Sequence, residues 1–139
     1  MSYDLATSPL LAVVQQLDKH PALMAEAFVF GSAQTRLDGV GDLDVGIRIH
    51  KPYAFGDLDR YRPLLRAGAM GTPRYGLFDL FLIFDNAVWV RDDRCLGFVR
   101  AKQAKIFREA VANGTPWTTW RERLNGPPIP TPNKRATVP

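Results

Sequence analysis

The sequence predicts an α/β fold, a small mixed β-sheet flanked by helices and followed by a short helical C-terminal extension. One observation indicates this class, and a second indicates that the chain forms one domain. Short apolar segments typical of buried strands alternate along the chain with segments whose apolar residues recur at helical spacing. The 139 residues, 46% of them hydrophobic, are enough for one domain with its own core. We therefore expect a single domain over residues 1–125, with its core at about 22–90 and its helical extension at about 95–124.

The first predicted elements are a helix and two strands. Ser8–Pro9 is a favourable N-cap and first-turn pair, and apolar residues recur at i, i+3, i+4 and i+7 from Leu10. The first helix should therefore end near His20–Pro21. Alternating or continuous apolar residues predict strands at residues 27–30 and 43–49.

The middle of the chain predicts a second helix and a third strand. The helix should begin at Gly56 and run to about Ala67, with Pro63 kinking or shortening it. Glycines and a proline within residues 68–73 are expected to form a loop. The next strand, at residues 77–84, is apolar at almost every position and should be buried on both faces.

The remaining elements are a short strand and two helices. Residues 87–90 are predicted to form an edge strand, and a helix is expected from Leu96 to Asn113–Gly114. Thr115–Pro116 should cap a further short helix. The residues expected to face inward from the longer helix are Val99, Ile106, Phe107, Ala110 and Val111.

Tryptophans and prolines mark the C-terminal end. Trp117 and Trp120 are expected to pack in the core or at a dimer interface, which leaves a homodimer open. Residues 126–139 contain five of the eleven prolines and predict an extended tail without its own core.

Positive charge is concentrated in the C-terminal part. Residues 1–85 hold eight Lys or Arg and ten Asp or Glu, a net charge of −2, whereas residues 86–139 hold ten and four, a net charge of +6. This excess is able to attract nucleic acid, a nucleotide or an acidic protein surface. Because no aromatic residues interleave with the basic ones as a stacking platform, a solvated helix face with a basic tail is favoured over nucleic-acid binding.

Cysteine content and apolar segments bear on the compartment. Cys95 is the only cysteine, so no disulfide forms within the chain. The sequence shows neither a signal peptide nor a long apolar segment. We therefore expect a cytoplasmic protein without a membrane partner.

Three aspartates are the candidate functional residues. Asp42 and Asp44 stand two apart on a predicted strand, so both point to one face and repel each other unless a cation lies between them. Asp79 lies in the buried strand, where a carboxylate is costly unless it is paired or binds a metal. If the two strands are neighbours, the three carboxylates come within reach of a two-ion Mg²⁺ site. A solvated turn and an ion pair of Asp79 with Arg36 or Arg74 are the simpler alternatives.

Gly31–Ser32 is a candidate phosphate-binding turn. It follows the strand at residues 27–30 and precedes a polar segment able to open a short helix. Glycine lets the backbone approach a phosphate closely, and helical amides and the Ser32 hydroxyl are able to donate to it. By itself the pair is also typical of an ordinary turn.

Taken together, Gly31–Ser32, Asp42-Leu43-Asp44 after a nine-residue gap, and the later Asp79 resemble the signature of the DNA polymerase beta type nucleotidyltransferase superfamily. The likeness covers roughly residues 26–85. Within the superfamily it is greatest to small stand-alone bacterial members, namely the minimal nucleotidyltransferases paired with helical toxins and the catalytic domain of aminoglycoside nucleotidyltransferases.

The resemblance implies a nucleotidyltransferase fold and a metal-dependent reaction. A nucleoside monophosphate would pass from an NTP, with ATP expected, to a hydroxyl acceptor on a protein or small molecule, with release of pyrophosphate. Gly31–Ser32 would hold the triphosphate, with Arg36 as a further nucleotide-binding residue. Asp42 and Asp44 would bind two Mg²⁺ ions, and Asp79 would join them and activate the acceptor hydroxyl.

The chain departs from the family pattern at two positions. Many relatives have an arginine three residues after the serine, where this chain has Thr35, and Arg36 follows one residue later. The residue before the first aspartate is often serine and here is Gly41. Both departures concern the triphosphate contacts and leave the three carboxylates in place.

The acceptor is open between two classes implied by the resemblance. An antitoxin-like protein would modify a hydroxyl on a helical toxin-like partner. An aminoglycoside-like enzyme would modify a small hydroxylated cation, which requires an acidic cleft beyond Asp79. A third alternative is a noncatalytic nucleotide- or partner-binding module of the same fold.

Overall fold

A six-stranded mixed sheet lies at the centre of the computed structural model, which describes residues 3–37, 42–71, 78–92 and 95–125. Its strands, in spatial order, are β6 (Leu96–Phe98), β5 (Val88–Arg91), β4 (Phe78–Ile83), β3 (Leu43–Arg48), β2 (Ala27–Phe30) and β7 (Thr115–Pro116). The central strands β3 and β4 are parallel, and the other neighbours are antiparallel. A separate two-stranded sheet joins β1 (Tyr3–Asp4) to β8 (Leu124–Asn125).

Helices cover both faces of the larger sheet. They are α1 (Leu11–Leu17), α2 (Pro21–Met24), α3 (Arg62–Gly71), α4 (Ala101–Ala112) and α5 (Trp117–Glu122). Two 3₁₀ turns, Ser32–Gln34 and Asp57–Tyr61, precede β3 and α3. The helix α4 packs on β2, β3, β4 and β5 from one side, while α1, α3 and α5 pack on the other.

The alternation of side chains along β3 shows how the sheet separates two apolar cores. Leu43, Val45 and Ile47 are fully buried in the larger core, on the side of α1, α3 and α5. On the opposite face Gly46 lies directly under α4, where an added Cβ would overlap Val111. The strand therefore combines bulky residues on one face with a close helix contact on the other.

Most of the predicted strands are confirmed. The predicted strand at 27–30 matches β2, β3 ends one residue earlier than expected, and all six residues of β4 are buried. The longer C-terminal helix ends at Ala112, immediately before Asn113–Gly114, as predicted. Both Trp117 and Trp120 are buried in the larger core.

The predicted helix start at Leu96 is wrong. Residues 96–98 instead pair with β5 as strand β6, so β5 is an inner strand and not the edge strand that was expected. Hydrogen bonds between Asp92 and the backbone of Cys95 close the hairpin that directs the chain back along β5. Extended backbone at Arg100 then delays the helix until Ala101, and Ile106 faces outward, 59% exposed.

Three other predicted boundaries are wrong. Ser8 does not cap α1, because its hydroxyl accepts a hydrogen bond from the Leu10 amide in a preceding turn and the helix begins at Leu11. The helix α3 continues through the predicted glycine loop to Gly71, and Pro63 lies in its first turn, where the missing N–H costs no helical bond. Thr115–Pro116 pairs with β2 as β7 instead of capping a helix.

The predicted tail at 126–139 lies outside the described residues.

Candidate functional site

The parallel pairing of β3 and β4 places Asp44 directly beside Asp79. Both aspartates lie on the face covered by α4, near the edge of the sheet where β3 and β4 begin. Asp44 is half-buried, and Asp79 is 8% exposed, the one buried charged residue in the described parts of the chain. The two strands are therefore neighbours, which is the condition on which the three-carboxylate site depends.

Burial and mutual repulsion favour a shared proton between the two aspartates. Burial, followed by a hydrogen bond with Asp44 and the charges of Asp44, Asp42 and Asp92, raises the pKa of Asp79 to about 8. Burial also raises the pKa of Asp44, opposed by the hydrogen bond from Asp79. The two aspartates therefore favour sharing one proton, with Asp79 donating the hydrogen bond to Asp44.

Only one of the two carboxylate oxygens of Asp79 takes part in the hydrogen bond with Asp44. Its Oδ1 is buried and has no hydrogen-bond partner among the described residues. No ion pair joins Asp79 to Arg36 within those residues, and Arg74 lies outside them. A buried polar atom without a partner requires an explanation, and a bound cation is one.

Asp42 and Asp92 flank this pair. Asp42 is exposed immediately before β3, and its negative charge raises the pKa of both Asp44 and Asp79. Asp92 follows β5 one step beyond the register pair of Leu80 with Arg91, which puts it next to Asp79. Its charge also acts on both aspartates.

The sequence interpretation missed Asp92. The three aspartates predicted from the sequence do not include Asp92, although Asp92 continues the alternation of Val88 and Val90 on the face of α4. The side chains alternate between the two faces along β5, and this alternation, continued one residue past the strand, is the signal that identifies Asp92.

The Gly31 bend opens beside Asp44. Gly31 follows β2, whose last residue, Phe30, pairs with Asp44. Its dihedral angles, φ 75° and ψ −160°, fall in a region that is essentially restricted to glycine. An added Cβ would also lie 2.6 Å from Asp44 Oδ2. Glycine is therefore required here by both backbone conformation and space.

Ser32 and Arg36 follow this bend on the surface. The expected short helix is a single 3₁₀ turn from Ser32 to Gln34, and both Ser32 and Arg36 are exposed. The carbonyl of Ser32 accepts a hydrogen bond from the Thr35 amide, which closes the turn. The structure thus brings Gly31 to Asp44, and Ser32 follows it at the surface.

Two contacts from the C-terminal part support the 3₁₀ turn. Trp120 Nε1 donates a buried hydrogen bond of 2.6 Å to the carbonyl of Ala33. Thr115 Oγ1 donates to Gln34 Oε1 at 3.0 Å. These long-range contacts were not predicted, because no local sequence pattern encodes a pairing across more than eighty residues.

Two of the three predicted carboxylates come together at this site. Within the described residues, no three His, Cys, Asp or Glu side chains are grouped closely enough to hold a metal ion. The pair of Asp44 and Asp79, with its unused buried oxygen, suits Mg²⁺, which commonly takes one or two carboxylates together with water and phosphate oxygens. The role of Asp42 as a further ligand stays a prediction.

Comparison with known proteins adds no relative. No family model, no curated protein and no solved structure matches this chain. In the described part of the chain, no helix combines the length and apolar character needed to cross a membrane. The assignment of function therefore depends on the motif and on the geometry of the site.

Proposed function

We propose that this protein is a metal-dependent nucleotidyltransferase that transfers a nucleoside monophosphate from an NTP to a hydroxyl acceptor. The observation that carries the proposal is the register of Asp44 with Asp79 on adjacent parallel strands, next to the Gly31 bend. The glycine bend lies beside Asp44, and the neighbouring Asp79 is buried with an unused oxygen. Such a combination suits a triphosphate bound with Mg²⁺.

Each residue has a stated role in this proposal. Asp42, Asp44 and Asp79 would hold two Mg²⁺ ions, which when bound neutralise charge on the phosphates. The bend at Gly31–Ser32 would receive the triphosphate, with ATP as the expected nucleotide, and Arg36 would add positive charge at its exposed end. These assignments follow the residues that the motif singled out.

Asp79 would act on the acceptor. A cation bound between the two carboxylates would displace the proton they share to solvent and leave Asp79 ionised. The acceptor hydroxyl oxygen then forms a bond to the α-phosphorus, the bond from that phosphorus to pyrophosphate breaks, and the hydroxyl proton passes to the Asp79 carboxylate. A carboxylate in a buried, negatively charged setting is more basic than an exposed one, which suits it to accept this proton. The products are the nucleotidylated acceptor and pyrophosphate.

The position of Asp92 bears on the acceptor. The charge of Asp92 acts on Asp79, and a further carboxylate at this position would favour a cationic acceptor over RNA. A small hydroxylated cation fits this feature, and so does a protein hydroxyl presented among basic side chains, as on a helical toxin-like partner.

The compartment we propose is the cytoplasm.

Nucleotide binding tests the proposal directly. In calorimetric titrations with a nonhydrolysable ATP analogue, we expect binding with Mg²⁺ and its loss with EDTA. Asp44→Asn and Asp79→Asn should each weaken binding at least about tenfold, equivalent to about 1.4 kcal/mol. The matched control is Asp59→Asn, a surface aspartate paired with Arg62, which should bind as the parent does. Equal binding by all variants would contradict the assignment of the site.

A noncatalytic module is the second candidate function. The observation in its favour is that, in the described part of the chain, the acidic residues do not form a three-ligand metal group. Incubation with labelled ATP, GTP, CTP and UTP plus cell lysate separates the two candidates. Label on protein or a small molecule supports transfer and identifies the acceptor class, whereas Mg²⁺-dependent binding without any transfer supports the module.

A further inference from the structure

Among the described residues, the larger sheet ends in two edge strands that differ in their protection against a further strand. The strand β7 is two residues long and includes Pro116, which has no backbone N–H to offer. The strand β6 consists of Leu96, Gly97 and Phe98, with neither a proline nor a charge. Edge strands commonly carry such a residue, which prevents pairing with another chain. The open edge of the sheet is therefore β6.

The hydrogen bonds to β5 determine which backbone groups of β6 point outward. The Val99 amide donates to the Val88 carbonyl at 3.0 Å, so residue 99 faces β5. Because backbone groups of an antiparallel strand alternate between its two sides, Gly97 also faces β5. The N–H and C=O groups of Leu96 and Phe98 consequently point away from β5. These are the groups that a further strand would bond.

The side chains of the same two residues are apolar and exposed. Leu96 is 73% exposed and Phe98 is 47% exposed. They share the face of Trp89, with which Phe98 is in register. The ring of Phe98 is held in place by Tyr53, 4.8 Å away between ring centroids. An ordered apolar surface thus lies directly beside the outward backbone groups, as is typical of a strand that pairs with another chain.

The residue order of β6 makes a second copy of the strand its matching partner. When Gly97 lies opposite Gly97 of the second copy in an antiparallel pair, each Leu96 lies opposite the Phe98 of the other chain. Each such pair exchanges two N–H···O=C bonds, which uses every outward backbone group of Leu96 and Phe98. Leucine and phenylalanine also form an apolar cross-strand contact twice. The two glycines meet at the closely spaced position between these pairs, where neither brings a side chain.

The charges at the two ends of β6 favour the antiparallel arrangement. Residues 92–94, which precede the strand, are Asp-Asp-Arg and carry a net charge of −1. Residues 100–102, which follow it, are Arg-Ala-Lys and carry a net charge of +2. Antiparallel pairing places the acidic end of one copy beside the basic end of the other, and does so at both ends of the contact. A parallel pairing would place like charges together.

We propose that β6 is a dimerisation strand, which pairs antiparallel with β6 of a second copy and joins the two sheets. The contact is small compared with the roughly 1,600 Å² of a standard protein interface, so we expect a dimer that dissociates on dilution. The buried Trp117 and Trp120 do not form this surface. No residue of β6 belongs to the proposed nucleotide site, so the inference stands even if the chain transfers no nucleotide.

Sedimentation velocity of the full-length chain tests the proposal. Over two orders of magnitude in concentration, starting in the low micromolar range, we expect the average mass to rise from that of the 15.6 kDa monomer toward twice that value. A monomer at every concentration, as when a different protein or another part of the chain occupies this edge, would overturn the proposal.

Two exposed apolar residues provide a matched pair of variants. Leu96→Lys should weaken the dimer at least tenfold, because a lysine on an edge strand opposes pairing with another strand. Ile106, on α4, is 59% exposed and lies outside β6, so Ile106→Lys adds the same charge and should dimerise as the parent does. Circular dichroism verifies that both variants are folded. Equal dissociation constants of the two variants would overturn the location of the contact.

Cysteine cross-linking tests the register of the pairing. In a Cys95→Ser background, a mixture of Leu96→Cys and Phe98→Cys chains should form a disulfide between the two variants, since opposite residues have Cα atoms about 5.5 Å apart. Either variant alone would have to join residues offset by two positions, about 7–8 Å apart, which a disulfide does not span without backbone movement. Equal cross-linking of the mixture and of each variant alone would overturn the register.

Discussion

Gly31 is restricted both by its backbone conformation and by its surroundings. Its backbone lies at positive φ, and the space where a side chain would begin is taken by Asp44 Oδ2. Gly56 also has a positive φ, of 92°, but no atom lies within 4 Å of the position of its missing Cβ. Both glycines would suffer backbone strain on substitution, but only Gly31 would also suffer steric overlap. A comparison of the two therefore separates the two costs.

Replacement of Gly31 by alanine should cost more than the same change at Gly56. We expect Gly31→Ala to lower the free energy of unfolding by about 2–3 kcal/mol, since strain and overlap with Asp44 add together. Gly56→Ala should lower it by about 1 kcal/mol through strain alone. Urea denaturation measures both values, and equal losses would show that Asp44 does not crowd Gly31.

Asp79 is the residue whose protonation should couple folding to pH. Its folded-state pKa, about 8, is above the unfolded value of about 4, so between these values the folded protein holds a proton that the unfolded chain has released. The stabilising contribution is complete below about pH 4 and is lost progressively as the pH rises to about 8. Burial beside Asp44 is the physical cause.

Asp79→Asn should remove most of this pH dependence. The amide keeps the shape of the acid without a proton to lose, so the decline in stability between pH 4 and 8 should flatten. At pH 8 the variant should be more stable than the parent by at least about 1.4 kcal/mol, which corresponds to one pKa unit. The measurement is urea denaturation at a series of pH values, with Asp59→Asn as the surface control. A parent whose stability rises over this range would contradict the shifted pKa.

At the scale of elements, the contact of α4 with β3 sets the geometry around the acidic pair. Gly46 lies two residues after Asp44 on the same face, and Val111 of α4 occupies the space above it. Any side chain on Gly46 would push α4 away from the sheet. This close approach lets the smaller core form around Phe30, Phe81 and Val111.

The pair of Gly46 and Val111 offers a test by a double-mutant cycle. Gly46→Ala should destabilise the protein by about 1–3 kcal/mol, because the added methyl group overlaps Val111. Combination with Val111→Ala should recover part of that loss, since the shorter side chain makes room. Thermal denaturation of the four proteins measures the coupling, and purely additive effects would contradict the contact.

At the scale of the whole molecule, the two cores lie on opposite faces of one sheet. The larger core contains Trp89, Trp117 and Trp120, whereas the smaller core on the side of α4 contains no tryptophan among the described residues. Both cores use opposite faces of the same strands, so neither is expected to persist without the other. Contacts from α5 and β7 to the turn after Gly31 also tie the C-terminal part to the candidate site.

Unfolding should therefore be a single cooperative transition. Tryptophan fluorescence reports on the larger core, and far-ultraviolet circular dichroism reports on the helices and strands of both. We expect the two signals to give the same midpoint and the same free energy in urea. A fluorescence transition that precedes the loss of circular dichroism would show that the two cores unfold separately.

Sequence patterns determined the parts of this protein that depend on local periodicity. The alternation in residues 43–48, and the run in residues 78–83 that is apolar except for Asp79, identified the two central strands and their aspartates. Gly31 and the buried tryptophans followed from the chemistry of single residues. These features were accessible because hydrophobic burial imposes a period on the sequence.

Only the tertiary structure decided which residues meet. The register of Asp44 with Asp79, the position of Asp92 and the hydrogen bond from Trp120 to Ala33 each join segments that are distant in sequence. Strand β6 shows the same limit, because Leu96–Phe98 forms a strand through its pairing with β5 and not through a local pattern. Pairing and packing between distant segments override weak local preferences, so local periodicity predicts the strands but not the site that they assemble.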